Sequence, residues 1–123
     1  MTSRPPFPNG PAQRTSDASG AMGPFIGIGL PQALAADLAG GRRVLSLAPE
    51  DIAAADLHRI PDVVVACLLL GSAMDALDVI AVLSATGYSG ALTVVAPPLP
   101  NPRMVERELA RAAKPMDVTL VIR

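Results

Sequence analysis

Apolar and polar positions alternate in blocks along this chain, and after residue 24 the blocks recur at regular intervals. Phe25-Ile26-Gly27-Ile28-Gly29-Leu30 reads as a strand that its two glycines weaken. Pro31 suits a helix start, and Leu34 and Leu38 share one face of a short helix ending at Gly40-Gly41. Arg43 to Leu47 is a second strand, and Pro49-Glu50-Asp51 opens a brief helical stretch to Leu57. Asp62 to Leu70 is a continuous apolar run rich in β-branched residues. A strand apolar on both faces belongs inside a parallel sheet roofed by helices. The clearest helix covers residues 74–86, with Leu77, Ile80 and Ser84 on one side, Val79, Val82 and Leu83 widening the arc, and Gly87 as its stop. Ala91 to Val95 is a fourth strand. Asn101-Pro102 pairs a cap with a first-turn proline and predicts a helix to Ala113; the last strand starts at Met116 or Asp117 and ends at Ile122.

Strands and helices that alternate through short links predict one α/β domain over residues 25–123. The expected architecture is an open, doubly wound parallel sheet of five strands in the order 2-1-3-4-5. Residues 1–24 break the pattern, with prolines at 5, 6, 8, 11 and 24 and no apolar run. Such a segment buries too little apolar surface to offset its ordering entropy, so it reads as a disordered Pro-rich tail, either a docking arm or an idle extension.

Composition narrows the function. The chain of 123 residues is 50% hydrophobic and 17% charged, with a net charge of -1. No global field draws nucleic acid or an anionic membrane. Phe7, Phe25 and Tyr88 are too few aromatics for a base-stacking platform. The longest apolar run is far short of a membrane span, which needs about 20 residues. Cys67 is the only cysteine, so no internal disulfide is available, and no secretory leader pattern opens the chain; a cytoplasmic location is the expectation.

Three short motifs resemble the receiver domain of response regulators. Pro61-Asp62-Val63-Val64-Val65-Ala66-Cys67 is similar to that family's strand leading to its phosphate-accepting aspartate, with Cys67 at the acceptor position. Met74-Asp75-Ala76 resembles the family's Met-Asp-Gly helix start, and Tyr88-Ser89-Gly90-Ala91-Leu92-Thr93-Val94-Val95 resembles its passage into the fourth strand. The resemblance implies a flavodoxin-like fold and a signalling role. Its chemistry is missing. The acidic pair expected after the first strand is replaced by Gly29-Leu30-Pro31, the acceptor is Cys67, and the hydroxyl residue after the fourth strand is Ala96. A Lys114-Pro115 pair occurs, but ahead of the last strand, where the family has it behind. The final family helix has no counterpart before Arg123. Magnesium needs hard oxygen ligands, and Gly29, Leu30, Cys67, Leu70 and Ala96 offer none from their side chains, so a pseudo-receiver without enzymatic activity, metal or cofactor is expected.

Other candidate sites are thin. A Cys67 nucleophile wants a base, and His58, the one histidine, lies at the opposite end of the same strand; a core thiol is the plainer reading. Gly27-Ile28-Gly29 begins a dinucleotide fingerprint that fails at Gln32, leaving close backbone packing as the role of its glycines. Arg103, Arg107 and Arg111 form a cationic stripe on the last helix, tempered by Glu106 and Glu108, with Met104, Val105, Leu109 and Ala112 expected inward. This stripe is a solvated face or a dock for an acidic partner.

With no fifth helix, one sheet face lacks cover, and either Val118, Leu120 and Ile122 or Thr119 and Val121 meet solvent. Val118, Leu120 and Ile122 join the arginines as candidate interaction residues, covered by the tail or by a second subunit, a twofold homodimer being the simpler arrangement. The function expected is a regulatory or adaptor module acting by protein–protein contact and self-association. The rival is a small-molecule binder or minor enzyme using the carboxyl-end rim, which includes Gly71, Ser72, Pro97 and Pro98.

Overall fold

Five parallel strands form one sheet, as the alternation predicts, in the expected order β2-β1-β3-β4-β5. The computed structural model describes residues 22–71 and 74–123. Strands β1 (Phe25–Ile28), β2 (Val44–Leu47), β3 (Val64–Leu68), β4 (Ala91–Ala96) and β5 (Asp117–Ile122) are linked by α1 (Gln32–Ala39) between β1 and β2, α2 (Ala76–Ala85) between β3 and β4, and α3 (Pro102–Ala113) between β4 and β5. The flavodoxin-like arrangement is thus in place, and no helix follows β5 among the described residues. Between β2 and β3 the expected helical stretch is three 3-10 turns, Pro49–Asp51, Ala53–Ala55 and Leu57–Arg59. Asp56, left-handed at φ 50, breaks what the alanines would otherwise continue.

Local chemistry fixes the helix starts. The Asp75 carboxylate accepts the Asp78 N–H at 3.0 Å while Asp78 accepts the Asp75 N–H at 3.4 Å, a reciprocal capping box. Asn101 Oδ1 accepts the Met104 N–H at 3.2 Å, with Pro102 in the first turn. Gly27 lets α1 approach β1, because a Cβ there would stand 3.3 Å from Leu30 and 3.6 Å from Ala35.

The two sheet faces are covered unequally. The 3-10 turns, α2 and α3 roof one face, burying Ile26, Val65, Cys67, Leu92 and Val94 against Ile52, Leu57, Val79, Leu83 and Leu109. On the other face, among the described residues, α1 alone packs Ala35 and Ala39 over Phe25 and Ala66. Val118 and Leu120 pack against the roofed side's core. Of the two alternatives the second therefore holds: alternation along β5 sends Thr119 and Val121 to the open side, and Val118 and Leu120, named as interaction candidates, lie on the covered one. There Thr119 is exposed and Val121 half-buried. Ile122 is partly exposed at the strand's end. The Arg123 guanidinium reaches Asp37 of α1 at 3.5 Å.

The disordered-tail expectation for residues 1–21 lies outside the described residues, as does Ser72. Gly23 and Pro24 belong with the domain: the Gly23 N–H donates to Asp62, and Pro24 O accepts the Val64 N–H. No described helix is long and apolar enough to cross a membrane.

Candidate functional site

The two ends of the sheet present different chemistry. At the amino end, Arg42, His58, Asp62, Tyr88 and Ser89 line a cleft of about 360 Å³. Three of these five side chains, Arg42, Asp62 and Tyr88, make hydrogen bonds within the chain. Arg42 Nη1 donates to Gly23 O at 3.0 Å, to Asp62 O at 2.6 Å and to the Asp62 carboxylate at 3.3 Å. The Gly23 N–H and then Arg42 hold the Asp62 carboxyl below its ordinary value of 3.8. Tyr88, buried with its pKa pushed up to about 12 by desolvation, donates its hydroxyl to Ala91 O at 2.6 Å. These three groups close the chain on itself.

The carboxyl end is where open α/β sheets place their ligands. Here it is apolar. Ile28, Gly29, Pro49, Leu68, Gly71, Met74 and Val79 surround a notch of about 70 Å³, with no charged side chain in its lining. To one side, Leu34, Leu68, Leu70, Val95, Pro97 and Arg123 line a cleft of about 290 Å³ beside α1. To the other, a cleft of about 180 Å³ between α2 and α3 is lined by Leu69, Leu70, Leu77, Val105 and Leu109, with Asp75 and Glu108. Leu70 belongs to both clefts and is 74% exposed.

Cys67, at the position of the acceptor, sits between Ile28 and Val94 in the sheet. It is 1% exposed, and burial first, then the nearby Asp75 charge, pushes its thiol up to about 12. A thiol that stays protonated at neutral pH is a poor nucleophile. His58 lines the amino-end cleft, so the structure does not bring the two together. Lys114-Pro115 precedes β5 and stands at the amino end, away from the rim. Gly29 closes β1 with φ +65, a turn that glycine permits. Among the described residues, no group of three His, Cys, Asp or Glu is placed to hold a metal ion.

Arg103, Arg107 and Arg111 are exposed along α3, and among the described residues none of them makes an ion pair. Glu106, read in the sequence as tempering them, points away: its carboxylate accepts the Leu120 N–H of edge strand β5 at 2.8 Å. Met104, expected inward, is 51% exposed, and Leu77 is 56% exposed. Helical periodicity locates an apolar arc but not how far the neighbouring helix covers it. The exposed leucines and Met104 are the functional candidates that sequence reasoning missed; a stripe wider than its roof was their only signal.

Comparison with known proteins adds nothing: no family model, no curated protein and no solved structure matches the chain.

Proposed function

We propose that this protein is a receiver-like regulatory or adaptor module that accepts no phosphate and acts by protein–protein contact, including contact with itself. One observation carries the reading. Leu70 stands exposed between two apolar clefts at the end of the sheet where this architecture ordinarily meets its ligand. An exposed apolar band of this kind marks a surface that partners cover.

The residue types at that end support the negative half. A phosphoryl-transfer site of the receiver kind needs carboxylates to hold a hard cation and an aspartate to accept phosphate. This rim has Gly29 and Leu30 in place of the acidic pair, a buried thiol in place of the acceptor, and Ala96 in place of the hydroxyl. The small-molecule reading draws less support, because a ligand site combines apolar walls with convergent polar groups, and those groups are concentrated at the other end.

The test has two arms. Incubating the full chain with acetyl phosphate and magnesium should leave its mass unchanged; stable incorporation of phosphate overturns the reading. Replacing Leu70 by Lys should abolish protein contacts that the wild type makes while leaving the fold intact. Retention of all such contacts by Leu70→Lys, with a small molecule bound at the rim instead, overturns it equally.

A further inference from the structure

Helix α3 carries two opposite chemistries side by side. At about 100° per residue, Arg107 lies about 40° and Arg111 about 80° around the helix from Arg103. Met104 follows at about 100° and Glu108 at about 140°, with Val105 beyond them at about 200°. Met104 therefore separates a basic stripe from a cleft edged by Asp75 and Glu108 and floored by Leu77, Val105 and Leu109. Stripe and cleft have complementary charge, and among the described residues the only ion pairs are Arg42–Asp62 and Arg123–Asp37.

In a twofold contact, one patch meets its own copy, so residue i touches j while j touches i. An axis passing at Met104 lays the arginine stripe of each copy over the acid-edged cleft of the other. The Met104 side chains and the exposed Leu77 and Leu70 then lie inside the contact, which is the usual distribution of apolar core and charged rim. We infer that this chain forms a twofold dimer through α3 and the α2–α3 cleft, with Arg107 and Arg111 of each copy facing the Glu108 and Asp75 edge of the other. This rests on the protein-contact reading above and supplies its first partner, a second copy. The open strip of β4 and β5 is a poorer dimer surface. Two strands at about 4.8 Å spacing give a band narrower than one helix diameter of about 10–12 Å with its side chains, and Thr93 and Thr119 occupy much of it.

The α3 patch is smaller than the about 20–30 residues a side of a standard interface, so the dimer is weak and dependent on its charges. Sedimentation equilibrium of the full chain, from about 10 to about 500 µM, should show a monomer–dimer equilibrium. Its Kd should rise at least about tenfold between low and high salt. Arg107→Glu/Arg111→Glu should be monomeric and Asp75→Asn/Glu108→Lys weakened, each with an unchanged circular dichroism spectrum, asparagine keeping the helix cap that Asp75 supplies. An equimolar mixture of the two should regain association as a mixed dimer, since each then meets an opposite charge in both halves of the contact. Val121→Lys, on the open strip, should leave the wild-type equilibrium unchanged.

A monomer at every concentration overturns the proposal. So does dimerisation lost in Val121→Lys but retained in Arg107→Glu/Arg111→Glu, or a mixture that fails to associate. If the chain is monomeric yet Leu70→Lys still releases a different bound protein, the dimer is wrong and the adaptor reading stands.

Discussion

At the amino end of the sheet, the guanidinium of Arg42, the carboxylate of Asp62 and the hydroxyl of Tyr88 are bound to backbone atoms or to each other. At the carboxyl end, Leu70, Leu77 and Met104 face solvent beside charges that make no ion pair among the described residues. Polar groups that satisfy one another hold a fold together, whereas apolar groups left in water lower the free energy of whatever covers them. On the proposed reading, one end carries stability and the other recognition.

Substitutions should separate those roles. The largest effect is expected at Tyr88, whose ring is buried and whose hydroxyl bonds to Ala91 O. Tyr88→Ala should cost about 3–5 kcal/mol, as large aromatic truncations do, in urea unfolding followed by circular dichroism. Next comes Arg42→Ala, which removes charge-assisted bonds tying Gly23 and Asp62 together. The expected loss is smaller than at Tyr88 by the same assay, because these bonds are largely exposed.

Acid should weaken the same end by a smaller amount. The folded-state pKa of Asp62 is depressed, so its contribution is complete above its unfolded value of 3.8 and is lost as pH falls through the folded one. Wild-type stability should therefore drop below about pH 4 more steeply than that of Arg42→Ala in parallel unfolding curves, the variant having already lost part of the interaction. A variant that matched the wild-type slope would show that Arg42 has no share in holding Asp62.

The smallest effect on stability belongs to the other end. Leu70→Lys changes an exposed side chain outside the core and should shift unfolding by no more than about 0.5 kcal/mol. A larger loss would move Leu70 from the recognition surface to the folding core and break the comparison.

The sequence pattern made the sheet legible because parallel strands and their crossover helices leave periodic traces. The apolar run ending in Leu70 marked a central strand, and Asn101-Pro102 marked the start of α3. Local punctuation failed between residues 49 and 59, where three alanines favour helix but a left-handed Asp56 breaks it into 3-10 turns. The amino-end clamp could not be seen, since Arg42 meets partners 19 and 20 positions away, separations with no periodic signature. Nor could the orientation of β5. Alternation offered Val118 with Leu120 or Thr119 with Val121, and only the placement of α3 decides that the first pair is covered. For the same reason Leu77 and Met104 look like core residues in a periodic pattern and stand outside in three dimensions.

Photo-crosslinking at the two ends tests the assignment most directly. A photoreactive residue at position 70 is compared with one at Ser89 of the amino-end cleft, in the full chain within its native cells. The account predicts protein adducts from position 70, a second copy of the chain among them, and none from position 89. Protein adducts from position 89 with none from position 70 would contradict it.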